Sequence, residues 1–405
     1  MNEWRQSTWG DEVTLEYGKA LRDYSDTVGG VRVFGTNGPI GWTDTALAPG
    51  PGVVLGRKGA YRGVRYSPEP FFVIDTAYYV VPKAELEMRR LYYAIIHHEL
   101  GLIDDGSPIP STTRAAVYHR ALVVPSPAEQ RSIAGVLGAL DDKIEQNRKT
   151  AQALEQLVRA IFRAWFVDFE PVKAKAAGAT AFPSMPQPVF DALPSRFVDS
   201  AIGPVPEGWE VKGLAAIATF LNGLALQKYP PRGDGEDLHV IKIAELRKGS
   251  SEGADLANSD VPAEYVIDDR DLLFSWSGTL EAEFWFGGKG ALNQHLFKVT
   301  SLLLPSWFCM LWIRQHLLWF RAIAASKATT MGHIKRGHLQ EAQVVVPPPA
   351  VIREAHHVVG PLHDLDAKLK IESRKLAALR DYLLPKLLSG EVRVREAERL
   401  IGTPA

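Results

Sequence analysis

The chain is predicted to fold as α+β, with two pseudo-symmetric globular domains joined by two long helices that form an antiparallel coiled coil. Three observations carry this expectation. The segment VVPSPAEQ at Val123 returns as VVPPPAVI at Val345. Each copy continues into an apolar stripe of helical period. Shorter matches precede each stripe in the same order. A repeat of this length is a domain duplication, not a solenoid.

The first stripe runs through Ile133, Leu137, Leu140, Ile144, Asn147, Ala151, Leu154, Val158, Ile161 and Trp165, in alternating steps of four and three. That spacing is the seam of a coiled coil. Pro125 aligns with Pro347, an offset of 222, while Leu140-Asp141-x-Lys143 aligns with Leu365-Asp366-x-Lys368, an offset of 225. The three extra residues fall around Gly360-Pro361. The larger offset places the second seam at Val358, Leu362, Leu365, Leu369, Glu372, Leu376, Leu379 and Leu383. Each seam has one polar break, Asn147 and Glu372, at equivalent positions. A polar seam residue fixes register at a cost in stability.

The weaker matches extend the repeat. Trp4 and Gly18 map to Trp209 and Gly223 at an offset of 205, and Leu55-x-x-x-Gly59 maps to Phe274-x-x-x-Gly278 at 219. Residues 1–124 form the first globular domain, with strands at Gly30–Phe34, Gly52–Leu55 and Phe71–Ile74 and a helix over 84–100. The first helical region is 125–170, its start marked by Pro125 and Pro127 with Glu129 in its first turn. Residues 171–206 carry seven prolines and read as a linker, extended or loosely packed. The second globular domain is 207–346 and the second helical region 347–392, with Pro361 kinking it or starting its regular part. Residues 393–405 are a tail. Antiparallel helices of roughly 35 residues would put the globular domains at opposite ends of a rod about 50 Å long. One turn of B-DNA is about 34–36 Å. A parallel pairing stays open, because the linker could run back along the rod.

Composition narrows the function. A hydrophobic content of 46% is enough for real cores. The single cysteine, Cys309, lies in the apolar run Trp307–Leu311, which fits core packing in a reducing compartment. No signal peptide is visible, and residues 302–324 are too polar to span a membrane, so a cytoplasmic location is expected. The net charge is −1. Yet residues 55–68 and 313–340 hold basic groups and no carboxylate, interleaved with glycine, hydroxyl and aromatic residues, a pattern that suits phosphate and base contact.

Several motifs resemble the type I restriction-modification specificity (S) subunits. They are Pro127-x-Glu129-Gln130 through Leu140-Asp141-x-Lys143-Ile144-x-x-Asn147, Ala164-Trp165-Phe166-Val167-Asp168-Phe169-Glu170-Pro171-Val172, and Asp199-Ser200-x-x-Gly203-x-Val205-Pro206-x-Gly208-Trp209. Thr36-Asn37-Gly38-x-Ile40-Gly41-Trp42 and Gly56-Arg57-Lys58-Gly59-Ala60 fit the same family. The second copy departs from it at Pro349-Ala350-Val351-Ile352 and at Ser275-Trp276-Ser277-Gly278. The resemblance implies a non-catalytic subunit that binds a bipartite target in double-stranded DNA, one half read by each domain. It further implies two methyltransferase (modification) subunits on the helices, with restriction/translocase subunits joining for cleavage. S-adenosylmethionine, ATP and magnesium are expected on those partners and no cofactor or metal on this chain.

The motifs agree with a chain that performs no chemistry. No Gly-x4-Gly-Lys-Ser/Thr, strand-linked Gly-x-Gly-x-x-Gly or Asn-Pro-Pro-Tyr/Phe occurs. The alternatives are a coiled-coil scaffold, or a nuclease or methyltransferase with an unrecognised site. Candidate DNA contacts in the first domain are Arg57, Lys58, Arg62, Arg65, Ser111, Thr112, Thr113 and Arg114. In the second they are Trp276, Lys289, Asn293, Gln294, His295, Lys327, Thr329, Thr330, Lys335 and Arg336. Arg and Lys hold phosphates or read guanine, and Asn and Gln read adenine. Arg57→Ala is expected to weaken binding to one half-site and leave the other half's sequence preference intact. Equal losses at both half-sites, in competition binding with mutated duplexes, would argue against separate readout.

Overall fold

The computed structural model describes residues 4–26, 28–103, 106, 108–326 and 332–402. The chain divides into two compact units, Met1–Glu145 with Lys375–Ala405, and Gln146–Arg374. The α+β class is observed, and each long helix supplies residues to both units.

In the first unit, β1 (Arg5–Thr8), α1 (Trp9–Glu12), β2 (Val13–Tyr17), β3 (Val31–Gly35), β4 (Gly38–Thr43), β5 (Gly52–Gly56), β6 (Val64–Ser67), β7 (Phe71–Val73), β8 (Ala77–Pro82), α2 (Met88–His97), α3 (Arg114–Tyr118) and β9 (Ala121–Val124) lead to the long helix α4 (Pro127–Phe162). The Thr8 hydroxyl accepts from the Asp11 amide at 3.2 Å and so caps α1. Along β2, Val13 and Leu15 point inward while Thr14 and Glu16 stay partly exposed, the period of a half-buried strand. Ser126 caps α4 by accepting from the Glu129 amide at 3.3 Å, with Pro127 opening the helix. One sheet has the order β2-β8-β5-β6, and a second, β4-β3-β7, pairs β3 with β7 in parallel. β1 pairs with β9. The core gathers Trp9, Leu15, Leu55, Tyr78, Leu91 and Ile95 with Ile133, Leu137 and Leu140 of α4.

The second unit opens with α5 (Glu170–Ala176), α6 (Gln187–Asp191), β10 (Phe197–Val198) and β11 (Val205–Pro206). Then follow β12 (Glu210–Gly213), α7 (Leu214–Ile217), β13 (Thr219–Asn222), β14 (Leu238–Ile241), α8 (Ile243–Lys248), β15 (Leu256–Ala257), β16 (Val266–Ile267), β17 (Leu272–Ser275), β18 (Ala282–Phe284), β19 (Gly290–Leu292), β20 (Leu296–Thr300), α9 (Ser306–Ala325), α10 (Arg336–Glu341), β21 (Gln343–Val346) and the second long helix α11 (Pro349–Ser389). Its sheets, β13-β20-β17-β18 and β15-β14-β19-β16, repeat the first unit's order with one extra strand, β16. β14 runs parallel to β19 as β3 does to β7, and β12 pairs with β21 as β1 does with β9. The duplication read from the sequence is therefore a duplication of topology. After α11, Gly390 takes a left-handed φ of 78°, a helix-ending conformation that favours glycine. The short α12 (Val394–Gly402) then adds Ala397 to the first unit's core.

Within each unit the long helices run antiparallel. In the first, Arg380 Nη1 donates to Asp141 Oδ1 at 2.7 Å, and Arg393, beyond the end of α11, donates to Glu129 near the start of α4 at 3.1 Å. In the second, Asn147 Nδ2 donates to Glu372 Oε2 at 2.8 Å, while Val158 and Phe162 share a core with Ala355 and Val359. The two polar breaks of the seam thus satisfy each other, and Asn147 is only 1% exposed. Ile133, Leu137, Leu140, Ala151, Val158 and Leu383 are buried, and Ile144, Leu154, Leu362, Leu369, Leu376 and Leu379 are half-buried.

Two expectations are corrected. Leu365 is 43% exposed, whereas Val359, Asp366 and Ala367 face inward. The inward face steps through Ala355, Val359, Leu362, Asp366 and Leu369, the same alternation of four and three with its phase exchanged, so it shares Leu362 and Leu369 with the expected seam and departs from it at Leu365. α11 itself runs unbroken through Pro361. Residues 171–206 are not a loose linker. Val172, Val189, Phe190 and Val205 are buried beside Trp165, Phe166 and Trp209. Lys175 Nζ donates to the carbonyls of Phe190, Asp191 and Leu193 at 2.7–3.0 Å. The apolar residues between the prolines seal one side of the second core.

Removing the acceptor for Asn147 tests the seam. Glu372→Ala leaves a buried amide unsatisfied and is expected to cost about 1–3 kcal/mol in urea unfolding. The double variant Asn147→Leu/Glu372→Leu should recover most of it, because it removes both polar groups.

Candidate nucleic-acid interface

A backbone clamp recurs in the two units. In the first, the chain leaving β5 turns through Arg57, Lys58 and Gly59. The Arg57 amide donates to Thr76 O at 3.0 Å, the Thr112 amide to Arg57 O at 2.9 Å and the Gly59 amide to Pro110 O at 2.9 Å. Lys58 and Ser111 form a bridge. In the second, the Trp276 amide donates to His295 O at 3.3 Å, the Ile334 amide to Trp276 O at 2.9 Å and the Gly278 amide to Gly332 O at 2.9 Å. Ser277 and His333 form the matching bridge. Both turns use a glycine of positive φ, 105° at Gly59 and 63° at Gly278. Gly18 and Gly223 are required for a different reason: a Cβ there would collide with the carbonyls of Ile74 and Asn293. These glycines bring Tyr17 and Asn222, each the last residue of its strand, to the equivalent place.

On this common backbone the side chains diverge. In the first unit, Arg57 Nη2 donates to Asp75 O at 3.0 Å, and its guanidinium lies 5.0 Å from the Tyr17 ring centroid. Arg114 lies 4.2 Å from the same ring and 3.6 Å from Glu16. Tyr17 and Tyr78 are 5.0 Å apart. Burial pushes the Tyr78 phenol up to about 12, assisted by its hydrogen bond to Tyr17 and opposed by the two arginine charges. The result is a cationic, aromatic surface. In the second unit, Trp276 takes the place of Arg57. Its indole N–H donates to Gln294 O at 3.1 Å, and its ring lies 6.0 Å from His295 and 6.3 Å from His333. Ser277 Oγ and His295 Nδ1 are 2.9 Å apart. An open cavity of about 320 Å³ lies alongside, lined by Gly278, Thr279, Arg321 and Gly332 among others.

The structure sorts the candidate residues. Arg57, Lys58, Ser111 and Arg114 meet at the first clamp, as do Trp276, Gln294 and His295 at the second, where Lys335 and Arg336 follow Ile334 in the chain. Arg65 is exposed nearby, donating to Asn37 O at 3.2 Å. Arg62, however, is buried, and its nitrogens donate to the carbonyls of Gly101, Gly59 and Ile103, each at 2.8 Å. It braces the clamp from inside and cannot meet DNA. Thr112 is fully buried against Leu100 O, and Thr113 caps α3. Asn293 is buried, its side chain accepting from the His295 amide. Lys289 is exposed at the start of β19, the end of that strand away from Gln294. Lys327, Thr329 and Thr330 lie outside the described residues.

Sequence reasoning missed Tyr17, Asp75 and Tyr78 in the first unit, and Asn222, Ser277 and His333 in the second. The Gly18/Gly223 and Gly59/Gly278 alignments could have found most of them, because each pins a clamp strand to its counterpart. Among the described residues, no group of three or more His, Cys, Asp or Glu is placed to hold a metal. No helix is long and apolar enough to cross a membrane. Cys309 is core, its thiol pushed up to about 11 by burial.

No protein-family model matches the chain. The MjaIX type I restriction enzyme specificity subunit of Methanocaldococcus jannaschii is 26% identical over 330 residues, covering 78% of this chain and 72% of the relative. The HindI type I specificity subunit of Haemophilus influenzae is 22% identical over 374 residues, covering 79% and 81%. The solved S subunit of a type I restriction-modification system from M. genitalium is 15% identical and covers 95% of this chain and 96% of its own, with a TM-score of 0.59, a likeness of fold. The resemblance read from the motifs is borne out by these relatives.

The sorting can be checked by stability. Arg62→Ala is expected to cost about 3 kcal/mol in urea unfolding, since three buried carbonyls lose a charged donor. Arg57→Ala, which loses mainly half-exposed ring contacts, should cost about 1 kcal/mol or less.

Proposed function

We infer that this chain is the specificity subunit of a type I restriction-modification system, which recognises DNA sequence and performs no chemistry itself. The observation that carries this reading is the pair of clamps. Two copies of one backbone scaffold present different side chains, as a reader of a two-part target requires. Each unit reads one half of the target in the major groove. The reach of Arg57, Lys58 and Arg114 suits guanine edges and phosphates, and Gln294 with the His295 and His333 rings suits a different base pattern.

The duplicated long helices support the carriage of two methyltransferase subunits, one for each half of the pseudo-symmetric chain. Restriction subunits join that assembly for cleavage. S-adenosylmethionine, ATP and magnesium belong to the partners in this reading, and the complex acts in the cytoplasm, where chromosomal DNA is accessible. The near-neutral charge of the chain fits a subunit whose partners supply much of the phosphate contact.

Purified alone, the chain should show no turnover with S-adenosylmethionine or with magnesium and DNA. Co-expressed with a type I methyltransferase subunit, it should direct methylation to a single bipartite motif, read by methylome sequencing. Binding of that complex should weaken steeply with salt. Turnover by the isolated chain, abolished by one carboxylate substitution, would overturn the reading.

A further inference from the structure

We propose that the two clamps divide their work by position, so that positions keeping one residue type in both units anchor phosphates and positions that differ read bases. The proposal rests on the DNA-recognition reading above. Phosphates are the same in every sequence, whereas base edges are not. A duplicated reader facing two different half-sites therefore keeps what meets the backbone and changes what meets the bases. The chain thus serves as its own comparison.

The equivalences follow from the matching hydrogen bonds and registers. Arg114 and Arg336 are the first residues of α3 and α10, which follow the clamp in each unit. This position keeps its arginine and is assigned to a phosphate. Arg57 and Trp276 occupy one position, Asp75 and Gln294 another, and Thr76 and His295 a third. These differ and are assigned to bases.

Arg57 is prepared for this task. The Asp75 carbonyl and the Tyr17 ring fix the plane of its guanidinium, which reduces the ordering cost of a bidentate contact to guanine O6 and N7. Trp276 cannot make that contact, having one donor, already given to Gln294 O. The Gln294 side-chain amide beside it is suited to adenine N6 and N7. The first unit's half-site thus contains a guanine read by Arg57, and the second an adenine read by Gln294.

The test expresses Arg57→Gln, Arg57→Lys, Gln294→Ala, Arg114→Gln and Arg336→Gln with the methyltransferase partner. The methylated motif is read genome-wide, and the affinity of each purified complex for the wild-type target is measured against salt. Arg57→Gln and Arg57→Lys should relax or change one base in one half only, losing about 10- to 100-fold discrimination there. Gln294→Ala should do the same in the other half. Arg114→Gln and Arg336→Gln should keep the motif, bind more weakly, and each lower the slope of log affinity against log salt by about one. An unchanged motif in the Arg57 or Gln294 variants, or an altered motif in the Arg114 or Arg336 variants, overturns the division. A wild-type complex that methylates no motif at all removes the DNA-recognition reading instead, so the two failures are distinct.

Discussion

Each unit closes its core with stretches of both long helices, and this constraint organises the rest of the molecule. The first unit buries Ile133, Leu137 and Leu140 of α4 together with Leu383, Leu387 and Leu388 of α11. The second buries Val158 and Phe162 of α4 with Val351, Ile352, Ala355 and Val359 of α11. Each fully buried aliphatic side chain contributes roughly 1.5–3 kcal/mol, so loss of either helix strips several such terms from both units. The pairing at Asn147 and Glu372 and the Arg380–Asp141 pair then fix which residues meet. Apolar contact is tolerant of register, but these polar pairs are not.

Above these cores, the two units separate backbone from side chain. The clamp hydrogen bonds are made by main-chain atoms, whose donors any residue but proline provides. Gly18, Gly223, Gly59 and Gly278 are the exceptions, because close approach or positive φ constrains them. The surrounding positions are free to change from arginine to tryptophan without moving the scaffold. Braces such as Arg62, whose donors all turn inward, hold the turn from behind and leave the outer face to vary.

The helices were legible in the sequence because their period is long, regular and repeated, and Pro125 and Pro127 mark the start of α4. The strands at 31–35, 52–56 and 71–73 were legible from short apolar runs between turns. The inward turn of Asp366 was not, because an alternation of four and three can be read in either phase through Leu362 and Leu369. The packed role of 171–206 was hidden by its prolines, which signal a break in regular structure but say nothing about whether Val189 and Phe190 are buried. At the clamp, charge and loop composition pointed to Arg57 and Arg114. The same signal misplaced Arg62, because a buried arginine satisfied by carbonyls looks like a surface one in sequence. Tyr17 and Tyr78 went unnoticed because a tyrosine ending a strand carries no charge pattern.

One carboxylate near the start of α4 has a wider meaning. Glu129 accepts from Trp4 Nε1 at 3.0 Å through one oxygen and from Arg393 Nη1 at 3.1 Å through the other. Residues from the two extremes of the polypeptide are therefore held at a single point in the first unit. β1 and α12 are thereby tied to the start of α4 through the residues that adjoin them, Trp4 and Arg393. Removing either Trp4 or Arg393 would therefore free one oxygen of Glu129 and loosen the start of α4.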